Sequence, residues 1–511
     1  MGRVRPKGKN KNKNKGVEAA AVDQIFALVD KCPHKLAALS EGRITACGSL
    51  QCAYHGWSFD GASGQCMEVP QTMTSGGVRL NDRSVVASDP VTKKSIRRRE
   101  DAQAVPAMIS QGMIWIFPGG GLEKALLAPE PPRVPEMDIE GTRTVMAVRD
   151  FPVDWTILTE NIMDPDHGLF AHAAVGFDLY SASRSAPQTI VEEELDGGKG
   201  WKITSTVDAV EKLIHTNAEW KIEAGKAKRK KKGGKGKTST PAVRKATTTF
   251  VAPSVVYSGR RDVETGETPF VTAFWICPVG AGRSRFMSAA IGTPIKLPRW
   301  LLHVTLLNFL DQDTYLIYTQ QRYVLEREAE LAMSASNGHQ NETEVDEHHE
   351  SPPVSMRKSL FVYRSPTEKL QARLATFFDK TLDRVPNRRA TLRNLPRLDL
   401  PREVVLDRFS QHTKICPDSM SLYKKCKRAS SVSLFVAGFA VLTRMVIPRV
   451  CYTSSPLFSA ICSPSFLRPI FAVSALVSFI SNRILREFRF KYDESFRDRD
   501  LDNIPNVWMD R

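Results

Sequence analysis

Two cysteines and two histidines lie close together near the start of the chain. Cys32 and His34 form a CxH pair, and after 17 intervening residues Cys52 and His55 form a CxxH pair. Two thiolates and two imidazoles suit one of two tasks. Divided as two Cys on one iron and two His on the other, they ligate a [2Fe-2S] cluster, where neutral imidazole raises the reduction potential above that of all-Cys clusters. Gathered on a single ion, they make a structural zinc site. Zinc fingers place both Cys before both His, whereas here the two types alternate. Cys47 and Cys66 fall outside the pattern and are expected to serve packing.

A second group of donors lies in residues 154–172, DWTILTENIMDPDHGLFAH, which opens with helical apolar spacing and contains Asn161, Asp164, His167 and His172. A non-haem Fe(II) site needs two imidazoles and one carboxylate on one face of an octahedron, with positions left for dioxygen and substrate. On a regular helix, histidines five apart point about 140° away from each other. Pro165 and Gly168 allow the backbone to bend between them. The zincin spacing HExxH is absent. Taken alone, HxxxxH also describes two surface histidines.

The surroundings of both groups narrow the choice. CPHKLAALSEGRI and CAYHGWSFDGASGQC, with the Pro-Gln turn that follows, resemble the ligand loops of Rieske oxygenases. The run ENIMDPDHGLFAH, roughly a hundred residues later, resembles the mononuclear-iron motif of the same family, the Rieske non-haem iron oxygenases. The resemblance implies Cys32, His34, Cys52 and His55 as ligands of a Rieske [2Fe-2S] cluster, and His167 and His172 as ligands of a mononuclear Fe(II). By the same resemblance Asn161 and Asp164 are catalytic. Asp164 would be the acidic bridge that carries electrons from a Rieske histidine of a neighbouring subunit in a homotrimer. The third iron ligand should be a carboxylate far along the chain. LLHVTLLNFLDQDTYLIYTQQRYVLEREAE offers Asp311 and Asp313 in a helical pattern, and the family's preference for a preceding Glu or Gln favours Asp313, after Gln312.

The elements that must position these residues follow from patterning. WKITSTVDAV, ATTTFVAPSVVYSG and PFVTAFWICPVG alternate and are rich in β-branched residues, as antiparallel strands are. Together with these strands, the resemblance implies an α+β fold. An N-terminal all-β Rieske domain spans 23–125, with QGMIWIFPGG as a closing strand and turn. A helix-grip catalytic domain follows over 126–410, an antiparallel sheet around a long helix. The family's β domain carries several strands ahead of the first ligand pair, and only VDQIFALVD stands there after the basic tail, so the domain is expected to be N-terminally short.

The net charge of +16 is concentrated in two runs: seven Lys or Arg in the first 15 residues and ten between Lys226 and Lys245, neither with an acid. The other 55 basic residues balance 56 acidic ones. The runs are expected to be a disordered tail (1–22) and a surface insertion (224–246), not a nucleic-acid interface. The acidic, polar stretch 327–353, with His348 and His349, is expected to be a second surface insertion. Nine scattered cysteines and no secretory signal argue against a disulfide framework.

In the last third, a Cys-containing linker (411–428) precedes two apolar segments, 429–448 and 467–485, long enough to cross a bilayer. Two buried core helices are the alternative. Arg444, Arg468 and Arg483 can snorkel near span ends, and the flanks KKCKR and RILREFRFK suit anionic headgroups, so a membrane hairpin over 429–487 is favoured, with a tail over 488–511. QHTKICPD followed by such a hairpin resembles the chloroplast branch that includes pheophorbide a oxygenase and its translocon-associated relatives. Members often carry a CxxC redox pair here, whereas this chain has Ser419 three residues after Cys416; a Cys416–Cys426 bridge stays open. The resemblance implies an oxidoreductase of a chloroplast membrane. It would use O2 and ferredoxin-derived electrons to oxygenate a chlorophyll-derived tetrapyrrole, foremost pheophorbide a, with chlorophyllide a or protochlorophyllide as alternatives. A non-catalytic, redox-sensing translocon-associated protein is the reading from another class.

Overall fold

The structure is a computed structural model that describes residues 2–3, 25–70, 78–79, 98–164, 167, 189–195, 200–209, 244–262, 270–292, 297–338, 355–364, 368–450 and 463–489. His172, His348, His349 and most of both basic runs lie outside them. The chain divides into two compact units, 1–133 and 134–511.

The first unit is built from short antiparallel strands. Arg43–Ile44, Leu50–Gln51, Ser58–Phe59 and Cys66–Val69 pair in sequence order, continued by Val78–Arg79. Ala107–Ser110 and Met113–Ile116 form a hairpin whose two turn residues, Gln111 and Gly112, both have positive φ (50° and 75°), the twist a two-residue turn needs. A small core of Cys32, Leu39, Cys52, Phe59, Cys66 and Ala102 sits under the ligand loops. Cys66 packs there as expected. Cys47 does not: it is exposed, its Sγ 3.0 Å from the Thr45 hydroxyl.

The second unit is a seven-stranded antiparallel sheet. Its strands are β1 (Thr144–Phe151), β2 (Thr189–Leu195), β3 (Gly200–Ala209), β4 (Arg244–Val251), β5 (Val255–Asp262), β6 (Val271–Gly280) and β7 (Arg283–Ile291). β2 to β7 run as a meander, and β1 closes the far edge by pairing with β7, from Thr144 opposite Ile291 to Phe151 opposite Ser284. After β1 the chain turns into helix α1 (Trp155–Met163); after β7 it forms the 40-residue helix α2 (Arg299–Gly338). Leu310, Ile317, Tyr318 and Val324 of α2 meet Phe250, Val256, Ile276 and Phe286 of the sheet and Trp155 and Leu158 of α1 in one buried core, closed by Leu374 and Phe378 of α3 (Lys369–Thr381). This is the sheet-and-long-helix arrangement that the resemblance implies, built from the antiparallel strands the patterns predict.

Two expectations need correction, and one open alternative closes. The acidic stretch from Arg327 is not an insertion at its start: α2 runs on to Gly338, and Glu328, Ala329 and Ala332 are buried. Glu328 looks like solvated charge, but two arginines from remote segments, Arg357 and Arg388, neutralise it. Residues 411–428 are not a linker: a π-turn at Phe409–Thr413 leads directly into α4 (Pro417–Val450). Finally, Cys416 and Cys426 are separate free thiols; ten residues of helix put about 15 Å between their backbones, beyond disulfide reach.

α4 packs against α5 (Pro464–Glu487), and both are long and apolar enough to cross a membrane by length and composition. Their lower ends, Tyr423, Cys426 and Leu485, join a buried cluster with Val304, but most of their length is exposed. Phe435, Phe439, Phe471, Val473 and Phe479 face outward, while the seam holds small polar groups: Asn482 Nδ2 donates to Ser430 Oγ at 2.9 Å and to Ser478 Oγ at 3.3 Å.

Candidate metal centres

The two ligand loops of the first unit share one backbone design. In the first, the Cys32 amide donates to Ala37 O (2.8 Å) and the Leu36 amide returns to Cys32 O (2.9 Å). In the second, Cys52 N donates to Trp57 O (2.8 Å) and Gly56 N to Cys52 O (3.1 Å). Each loop thus has a left-handed residue four places after its cysteine, Leu36 at φ 60° and Gly56 at φ 75°. Glycine takes this conformation freely, whereas Leu36 holds it at a cost of about 1–2 kcal/mol.

The loops bring like donors together. Burial pushes the Cys32 thiol up and the adjacent Cys52 thiol adds to the effect. The His34 and His55 rings meet edge to face with centroids 4.6 Å apart, and Trp57 stacks on His34, also at 4.6 Å. Thiol beside thiol and imidazole beside imidazole is the division that a cluster with one Cys₂ iron and one His₂ iron needs. His34 Nδ1 is buried with no hydrogen-bond partner among the described residues, as suits a nitrogen with a metal to bind. The residues present fit the cluster.

In the second unit, α1 carries the donors and its start is fixed by buried charges. Asp154 caps the helix, accepting from the Thr156 amide (3.1 Å) and hydroxyl (2.6 Å) with one oxygen, and from Gly282 N (3.1 Å) and Arg388 (2.7 Å) with the other. Arg388 also pairs with Glu328, and Glu328 with Arg357, which reaches Glu160 on α1 at 2.9 Å. Sequence analysis missed this network, since nothing local pairs residue 154 with 388.

α1 ends at Asp164. Beyond it, the His167 amide donates to Asp164 Oδ1 (3.3 Å) and the ring Nδ1–H donates to Asp164 O (2.8 Å). A carbonyl only accepts, so the lone pair of this imidazole sits on Nε2. His167 Nε2 lies 3.5 Å from Asp313 Oδ2, and Asn161 Nδ2 donates to that same oxygen at 3.1 Å. Burial opposes protonation of His167, but the Asp313 carboxylate, with Asp164, outweighs it and holds the pKa above its ordinary value. A divalent cation between Nε2 and the carboxylate would take the place of that proton. An imidazole oriented by a backbone carbonyl and a carboxylate oriented by an amide suit Fe(II).

Asp311, the other candidate, is committed elsewhere. It is clasped by Arg149 (2.6 Å) and Arg408, which themselves bind Gln411 and Asn308. Asp164, Asn161, His167 and Asp313 are therefore brought together, Asp311 is not among them, and His172 is outside the described residues.

A further buried group lies away from both centres: His303 on α2, His412 on the π-turn, and Cys416 and Ser419 where α4 begins.

Residues 12–86, which hold all four cluster donors, match the model of the Rieske [2Fe-2S] domain, and residues 250–330, which hold Asp313, match that of pheophorbide a oxygenase. The chain is 28% identical to a chloroplastic pheophorbide a oxygenase of Oryza sativa subsp. japonica, over 78% of this chain and 65% of that one. It is 25% identical to the protochlorophyllide-dependent translocon component 52 of Arabidopsis thaliana, over 90% of this chain and 76% of that one. It is also 25% identical to a flavonoid 8-hydroxylase 2 of Ocimum basilicum, over 91% and 78%. The chain thus spans just under two thirds of the rice relative's length. A match to the Rieske [2Fe-2S] domain followed by a match to pheophorbide a oxygenase, with chloroplastic pheophorbide a oxygenases at 26–28% identity among the relatives, makes the chain similar to the Rieske non-haem iron oxygenases of the pheophorbide a oxygenase-like branch.

Proposed function

We propose that the chain oxygenates a chlorophyll-derived tetrapyrrole, foremost pheophorbide a, with O2 and electrons delivered by ferredoxin. The observation that carries this is the pairing of His167 with Asp313 beside Asn161, in a chain whose matched domains are those of a Rieske protein and of pheophorbide a oxygenase. Cys32, Cys52, His34 and His55 would hold the cluster, and His167, His172 and Asp313 the iron. When bound, the two centres supply one-electron transfer and dioxygen activation. The chain's own residues orient and exclude. Asp164 fixes the His167 ring through its carbonyl, Asn161 fixes the carboxylate of Asp313, and Trp155, Leu158 and Met163 on α1 keep the helix seated in a dry core. Asp164 would also bridge to a Rieske histidine of a neighbouring subunit in a homotrimer.

The outward phenylalanines of α4 and α5 support membrane attachment, and the chloroplastic relatives support a chloroplast membrane as the location. The deciding experiment is a single turnover of chemically reduced, detergent-solubilised protein with pheophorbide a and isotopically labelled dioxygen. Label in a ring-opened product is the expected result; a cluster that reoxidises without labelled product would overturn the substrate assignment. Protochlorophyllide is the second substrate to try, because the match to the translocon component extends over 90% of the chain.

A further inference from the structure

The buried group of two histidines, a cysteine and a serine belongs to neither centre above. We propose that His303, His412 and Cys416 hold a structural divalent ion of the zinc class, with Ser419 Oγ or a water as the fourth donor. The residues come from three elements: α2, the π-turn and the start of α4. All four are buried, and the three ligand atoms lie within 4.8 Å of one another.

The protons of the two imidazoles can be placed. His303 Nε2–H donates to Met146 O at 3.1 Å, and His412 Nδ1–H donates to Val148 O at 2.6 Å. Both acceptors are carbonyls of β1, two residues apart, and carbonyls cannot donate. The lone pairs are therefore on His303 Nδ1 and His412 Nε2. These are the atoms that face the group: Nδ1 is 3.4 Å from Cys416 Sγ and 3.3 Å from Ser419 Oγ, and Nε2 is 2.9 Å from Ser419 Oγ. An imidazole with one nitrogen tied to a backbone carbonyl and the other turned inward is the usual posture of a metal ligand.

Distance supports the same assignment. A tetrahedral zinc, 2.3 Å from sulfur and 2.0–2.1 Å from nitrogen, sets the S···N edge at about 3.5 Å; the observed Sγ···Nδ1 separation is 3.4 Å. Two imidazoles and one thiolate match zinc in softness, and full burial suits a structural ion rather than a catalytic one. On binding, the thiol gives its proton to solvent, and no electron moves. The competing arrangement has no ion: the Cys416 S–H would donate to His303 and the Ser419 O–H to His412.

The test is metal analysis of the full chain, purified in detergent without chelator, followed by X-ray absorption at the zinc edge. Expected is about one zinc per chain with a single sulfur near 2.3 Å and the rest nitrogen or oxygen. Cys416→Ser and His303→Gln should each lose the zinc while the visible absorption of the iron–sulfur cluster persists. Protein with a loaded cluster and no zinc would overturn the proposal. So would a zinc with two sulfurs, which would sit at Cys32 and Cys52, or with none, which would sit at His167 and Asp313. The sulfur count is read on the unaltered chain, so it decides the matter even where a variant fails to fold.

Discussion

Asp313 presents its Oδ2 to both His167 and Asn161, while Asp311, two residues earlier on α2, is turned away and clasped by Arg149 and Arg408. Two carboxylates on one helix thus carry different duties, and substitution should separate them. Asp313→Asn and His167→Ala should each abolish product and remove the mononuclear iron, with the cluster's absorption intact. Asp311→Asn should leave two buried guanidinia short of a counter-charge and cost about 3–5 kcal/mol of stability. Iron content with thermal unfolding distinguishes the two outcomes; equal iron loss in both aspartate variants would refute the division.

Gly64 should tolerate no side chain. It has φ +76°, and an added Cβ would stand 2.1 Å from the Ala102 carbonyl oxygen, itself part of the small core under the ligand loops. Gly64→Ala is therefore expected to yield protein without the cluster's visible spectrum. Leu36→Gly, in contrast, relieves a left-handed leucine and should raise the unfolding midpoint of this unit, with the spectrum unchanged.

Glu160 gives stability a pH dependence with a definite sign. Burial raises its carboxyl from 4.5 to about 7; Arg357 opposes this but is shared with Glu328. Because the folded value lies above the unfolded one, the stabilisation is complete below pH 4.5 and is lost as the pH rises through 7. Asp154, whose pKa is lowered despite its burial because Arg388 outweighs the desolvation, acts in the opposite sense at more acidic pH. Unfolding midpoints measured between pH 5 and 8 should fall for the unaltered chain and flatten for Glu160→Gln.

The hairpin of α4 and α5 should confer bilayer binding through its outward rings. Vesicles containing anionic lipid should carry the protein upward in a density gradient, and Phe435→Asp with Phe479→Asp should leave it at the bottom. Flotation of the double variant would count against the hairpin as the anchor.

The parts of this architecture that could be seen in the sequence are those whose information is local. Cys32, His34, Cys52 and His55 lie within 24 residues and carry their loop glycines with them. The strands β3 to β6 announce themselves by alternation, and α2 by its period. Asp313 was favoured over Asp311 only through family habit; what separates them physically is Arg149 and Arg408, more than 90 residues away on either side. The same holds for Glu328, taken as solvent-facing charge because its partners Arg357 and Arg388 carry no mark of their role. His303 disappeared into an apolar helix, and only folding against β1 and the π-turn shows that it faces Cys416.

Arg408 does more than clasp Asp311. Its Nη1 donates to the carbonyl of Glu487, the last residue of α5, at 3.1 Å, and the neighbouring Thr413 hydroxyl donates to Phe488 O at 2.9 Å. One planar guanidinium therefore grips the catalytic helix on one side and the end of the second apolar helix on the other. Its fork has no freedom to pivot between them, as a lysine ammonium would. The hairpin and the helix bearing Asp313 are thus tied through one side chain: with the hairpin anchored in a bilayer, as proposed, the angle at which it settles would also set the heading of the proposed iron site.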